Sequence, residues 1–118
     1  VLFAAWWAQP GKRARQLQSF YDDSLLDQML AGNVTEHYDV AGEGNAAAGT
    51  IVLLAGASAP RCVCKVLASE LSQTHRTIAV DLPGHGSLFA VAYSLSRCER
   101  VISRVLEQEA RHDRVLLV

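Results

Sequence analysis

Three stretches of this chain are apolar or β-branched without alternation: Thr50 to Ala55, Thr77 to Val80 inside the run Arg76 to Asp81, and Val115 to Val118. Continuous runs of this kind suit strands buried on both faces, as in a parallel sheet. Between them the apolar residues recur at helical spacing. Ser58 and Pro60 open one such segment, with Cys64, Leu67, Ala68 and Leu71 at i, i+3, i+4 and i+7. Ser96-Arg97-Cys98-Glu99 has the form of a capping box and opens another. Its stripe is Cys98, Val101, Ile102, Val105 and Glu109 or Ala110. Strands alternating with helices of this length predict right-handed βαβ units, an α/β fold and a parallel sheet of three or four strands with flanking helices.

The first third reads differently. Leu17, Phe20, Tyr21, Leu25 and Met29 predict a helix over Arg13 to Leu30, with a capping-box form at Ser24-Leu25-Leu26-Asp27 and a stop at Gly32-Asn33. Thr35 to Val40 then alternates, with Glu36, Tyr38 and Val40 on one face, and predicts a half-exposed strand. Gly42-Glu43-Gly44-Asn45-Ala46-Ala47 matches the letters of a dinucleotide fingerprint. That fingerprint needs a helix N-terminus for the pyrophosphate, and here Gly49 and a strand follow at once, so a hairpin-like loop is expected. We divide the chain into an N-terminal helical extension, 1–34, and the start of an α/β domain, 35–118.

Composition narrows the function classes. The 118 residues are 50% hydrophobic and 19% charged, with a net charge of −1. That suits a packed core and gives no electrostatic footprint for nucleic acid or an anionic membrane. The three cysteines, Cys62, Cys64 and Cys98, are too few and odd in number for a disulfide framework, and mildly favour a reducing compartment. Cys62 and Cys64, at i and i+2 of a helix, point about 200° apart and do not converge on a metal. The apolar Val1 to Ala8 carries Trp6 and Trp7 and precedes Lys12, Arg13 and Arg15. It is far short of the roughly 20 residues that span a bilayer. It reads as the end of a truncated anchor, as a short strand or as a frayed terminus, which leaves a cytoplasmic or membrane-associated location open. An initial Val1 and a final apolar run give the expectation of a fragment.

Candidate chemistry concentrates at Asp81-Leu82-Pro83-Gly84-His85-Gly86-Ser87, directly after a buried strand. Together with Tyr38 to Gly44 and Ile51 to Gly56, this motif resembles the N-terminal part of an α/β-hydrolase, over roughly residues 35 to 118. The resemblance implies an incomplete α/β-hydrolase core and a serine hydrolase acting on carboxylic esters or related acyl bonds, lipase-like or esterase-like, without cofactor or metal. It places one oxyanion-hole N–H on the residue after Gly56, which is Ala57. Ala55 stands where the family usually has His. The nucleophile would sit on G-x-S-x-G after the strand ending at Val118, with the acid and the histidine later still. By this alignment His37, His75, His85 and His112 are not the base, and the 118 residues alone are expected to be inactive. Relatives of the fold also open epoxides, remove halides or cleave C–C bonds. A non-catalytic, hydrolase-like binding scaffold is the alternative.

Three residues invite a rival reading. Gly56-Ala57-Ser58-Ala59 also follows a strand, but Pro60 stands where a nucleophile elbow needs a small residue, so Ser58 reads as a helix cap. His85 reads as a loop-stabilising or rim histidine. Asp81 reads as an acceptor for backbone N–H groups of its turn.

Overall fold

A computed structural model describes residues 22–56, 59–109 and 114–118. In chain order the regular elements are α1 (Ser24–Ala31), β1 (Tyr38–Ala41), β2 (Thr50–Leu54), α2 (Lys65–Leu71), β3 (Arg76–Val80), α3 (Leu95–Glu109) and β4 (Val115–Leu117). Short 3-10 turns at Val34–His37, Glu43–Ala48, Arg61–Cys64 and Gly86–Leu88 join them. The segment Val1 to Ala8, the residues before Asp22 in the expected first helix, Ala57, Ser58, Ala110 and His112 lie outside the described residues. No helix among those described is long and apolar enough to cross a membrane.

The four strands form one sheet in the order β1-β3-β2-β4. β2 pairs in parallel with β3 (Val52 opposite Ile78) and with β4 (Val52 opposite Leu117). β1 pairs with β3 antiparallel, Tyr38 opposite Val80. The sheet is therefore mixed, which corrects the all-parallel expectation. Since β3 runs antiparallel to β1 and parallel to β2, β1 and β2 run in opposite directions across it. The link winds into 3-10 turns over Glu43–Ala48, interrupted at Asn45, and enters them through Gly42 at φ +69°. A Cβ on Gly42 would fall 2.5 Å from the His75 carbonyl and 2.6 Å from that of Ser72. The loop reverses the chain as expected, yet its two strands do not pair, because β3 lies between them.

From β2 the chain crosses to β3 on one side and from β3 back past β2 to β4. Same-handed crossovers in opposite directions put their helices on opposite faces. One face carries the main core: Val52, Ile78, Val80 and Tyr38 of the sheet against Leu26 and Leu30 of α1 and Val101 and Val105 of α3. The other carries Ile51, Leu53 and Ala79 beneath Cys64, Ala68 and Leu71. No residue of α2 is fully buried.

Helix starts differ from the capping-box patterns. α1 begins at Ser24, with Asp22 Oδ1 accepting the Ser24 N–H at 2.8 Å. Asp27 pairs across to Arg100 of α3 instead of reaching back along its own helix. In α3 the cap is Ser94, whose Oγ accepts the Arg97 N–H at 3.1 Å, two residues ahead of the Ser96 pattern. The alternation at Thr35–His37 belongs to a turn in which Asn33 Oδ1 accepts the Thr35 N–H at 3.3 Å, and the strand begins only at Tyr38.

Candidate functional site

In an open α/β sheet the crevice for ligands lies beyond the carboxyl ends of the strands, where successive connections leave in opposite directions. β2 sends its connection toward β3, and β4 lies on its other side. The Leu54 N–H donates to the Val118 carbonyl at 2.8 Å, and the Val118 N–H to that of Val52 at 2.9 Å. The loop leaving β2 at Ala55-Gly56 and the end of β4 are thus side by side. Ala57, the expected oxyanion donor, and Ser58 lie in that loop, outside the described residues. Flanking them, the Ala59 N–H donates to the Gly56 carbonyl at 3.1 Å.

At the end of β3, Asp81 is 2% exposed. Its carboxylate accepts the backbone N–H of Ser87 at 3.0 Å, the Ser87 hydroxyl at 2.8 Å and the backbone N–H of Arg61 at 2.7 Å. It also pairs with the Arg61 guanidinium. Burial alone would raise its pKa; the bonds from Ser87 and Arg61 and the Arg61 charge outweigh it, and the pKa lies below the ordinary 3.8. Bonds from the turn below were expected. Arg61, which also donates to Asp39 of β1 at 3.0 Å, was not.

His37, buried at the foot of β1, was missed as a member of this cluster. Its Nδ1 lies 2.7 Å from Ser87 Oγ, and its carbonyl accepts the Asp81 N–H at 2.9 Å. Asp81, Ser87 and His37 have the composition of a catalytic triad, but proton counting gives a different order. An ionised Asp81 can only accept, so the single Ser87 proton goes to it. His37 must then donate its Nδ1–H to Ser87 Oγ. Burial lowers the His37 pKa, with Arg61 adding to that against Glu36 and Asp81, so the ring is held neutral. In a triad the histidine takes the serine proton. Here it gives one, and Ser87 is a hydrogen-bonded strut.

His85 donates its Nδ1–H to the Pro83 carbonyl at 2.9 Å, since a carbonyl can only accept. Its ring meets Tyr93 edge-on at 6.0 Å. This is the loop-stabilising role expected for it. His75 lies at the opposite end of β3, beside Thr74 Oγ1. Among the described residues no group of His, Cys, Asp and Glu stands together as a metal site. Cys62 is exposed, whereas Cys64 and the buried Cys98 have thiol pKa values raised by burial. A groove of about 490 Å³ runs between α2 and β1, floored by Ala41, Ala68 and Ala79 and edged by Asp39, Arg61 and Lys65. Its Arg61 edge is shared with the Asp81 cluster at the end of β3.

The chain matches no protein-family model, no curated protein and no solved structure.

Proposed function

We propose that this chain forms the oxyanion side of an acyl hydrolase of the α/β-hydrolase type, acting on carboxylic esters or related acyl bonds of small molecules. In this reading the nucleophile stands on the turn that follows β4, and the acid and the histidine come later. One observation carries it: β2 and β4 are hydrogen-bonded parallel neighbours with their carboxyl ends side by side, Leu54 N–H to Val118 carbonyl. An acyl hydrolase of this type needs one N–H from the residue after the nucleophile and one from the loop after a neighbouring strand, both aimed at the same oxygen. The pairing supports that geometry for Ala57. Each such donor is worth about 3 kcal/mol of transition-state stabilisation. The engaged state of Asp81, Ser87 and His37 supports leaving the nucleophile to another part of the protein.

The test is hydrolysis of an activated short-chain ester by the product of the reading frame continued past Val118, beside the 118-residue chain. The longer product should turn over and the shorter should not. No turnover, with a residue other than Ser, Asp or Cys at the centre of the turn after β4, would replace the enzyme by a binding scaffold.

A further inference from the structure

We propose that Asp81 and Arg61 form one clamp that couples the loop after β2 to the turn after β3, so that the two loops framing the crevice hold or loosen together. The importance of the first loop rests on the function proposed above; the coupling itself does not.

The donors on Asp81 are divided evenly. Two come from Arg61, its backbone N–H and its guanidinium, and two from Ser87, its backbone N–H and its hydroxyl. Three of the four meet on Oδ2, where both loops donate, and the Arg61 N–H alone takes Oδ1. Its position at the end of β3 fixes it to the sheet, and both loops reach it from outside. Asp81 therefore does more than cap its own turn.

Gly86 supplies an independent sign. It sits at φ +51°, and a Cβ there would lie 2.3 Å from Asp81 Oδ1 and 2.6 Å from Oδ2. The turn backbone has closed onto the carboxylate to a distance that only glycine allows. The clamp also extends to β1, through Arg61 to Asp39 at 3.0 Å and through His37 to Ser87 at 2.7 Å.

The consequence concerns the loop between Gly56 and Arg61. An N–H donor misplaced by about 1 Å can cost about a hundredfold in rate. Anchoring the loop's far end on a buried carboxylate limits that displacement, and makes Arg61 and Asp81 positioning residues.

Coupling has a signature that simple stabilisation lacks, since it acts equally in both directions. Amide hydrogen exchange on the 118-residue chain reads it. Arg61→Met removes the guanidinium from Asp81 and Asp39 and leaves Ser87 its bonds to Asp81. Ser87→Ala removes the hydroxyl from Asp81 and His37 and leaves Arg61 its bonds to Asp81. Each should raise exchange in both segments, 59–61 and 83–88, by about tenfold more than in the β2–β3 ladder at Val52 and Ile78, whose change reports the loss of global stability. Arg61→Lys, which restores the charge, should recover part of the protection on both sides. A response confined to the mutated loop, or one shared equally by the ladder, overturns the clamp. If Arg61→Met does not fold, Ser87→Ala decides alone. None of these outcomes depends on hydrolysis, so the clamp and the enzyme reading stand or fall separately.

Discussion

His37 Nδ1 lies 2.7 Å from Ser87 Oγ, and the proton between them belongs to the histidine. The ionised Asp81 on the other side of Ser87 leaves no alternative order. Ser87→Ala should therefore act on stability and not on reactivity. Removing its hydroxyl leaves a buried His37 donor unpaired, a cost of about 1–3 kcal/mol in urea unfolding. A serine-directed covalent reagent that labelled Ser87 would show the proton order to be the reverse.

The same cluster gives the chain an acid sensitivity of known sign. His37 has its pKa lowered from 6.5 by burial, and Asp81 lies below 3.8 because the bonds from Ser87 and Arg61 outweigh its burial. Both groups bind more protons unfolded than folded, so each adds stability as pH rises. The His37 contribution is complete above its unfolded pKa and is lost as pH falls through its folded value. That of Asp81 survives to lower pH and is lost beneath the ordinary carboxylate range. Tm should fall between about pH 7 and pH 5, and His37→Gln should flatten that step while keeping the deeper one. A Tm that held or rose on acidification of the natural chain would contradict this.

Two glycines should respond oppositely to a methyl group. Gly86→Ala sets a Cβ against a carboxylate that four donors hold in place, at a positive φ. The expected cost is about 2–4 kcal/mol. Gly44 has nothing within 4 Å of the same position, and Gly44→Ala should change stability by less than about 0.5 kcal/mol. Denaturant midpoints of the two variants decide it.

Among the described residues β4 is an edge strand, and Leu116, Leu117 and Val118 there are all more than half exposed. An apolar edge without charges is a template for another strand. The 118-residue chain should self-associate in sedimentation velocity at about 100 µM, and Leu116→Lys should shift it toward monomer. A monomer at that concentration with natural Leu116 would show the edge to be inert.

The sheet was readable where burial on both faces leaves a continuous apolar run, as in Thr50–Leu54 and Arg76–Val80. Pattern misled where a side chain redirects the backbone locally. Asn33 turns Thr35–His37 into a 3-10 segment despite its alternation, and Ser94 caps α3 ahead of the box-like Ser96. β1 was read as a strand, but its antiparallel direction is set by its pairing with β3, nearly forty residues on, which local pattern does not carry. Asp81 and His85 could be assigned structural roles because their partners lie within six residues, at Ser87 and Pro83. His37 and Arg61 could not, since their partners Ser87 and Asp81 stand 50 and 20 positions away. Arg61, the first charge after a loop that ends in Pro60, was the one available hint.

The proposed acyl-hydrolase site between β2 and β4 would take its nucleophile from the turn after β4. Its most direct test is fluorophosphonate labelling, with the modified residue mapped by mass spectrometry, on the 118-residue chain and on the product of the longer reading frame. The account predicts no label on the first, and on the second a single labelled serine within about three residues of Val118. A label on Ser58 or Ser87, or a longer product left unlabelled at the turn after β4, would contradict it.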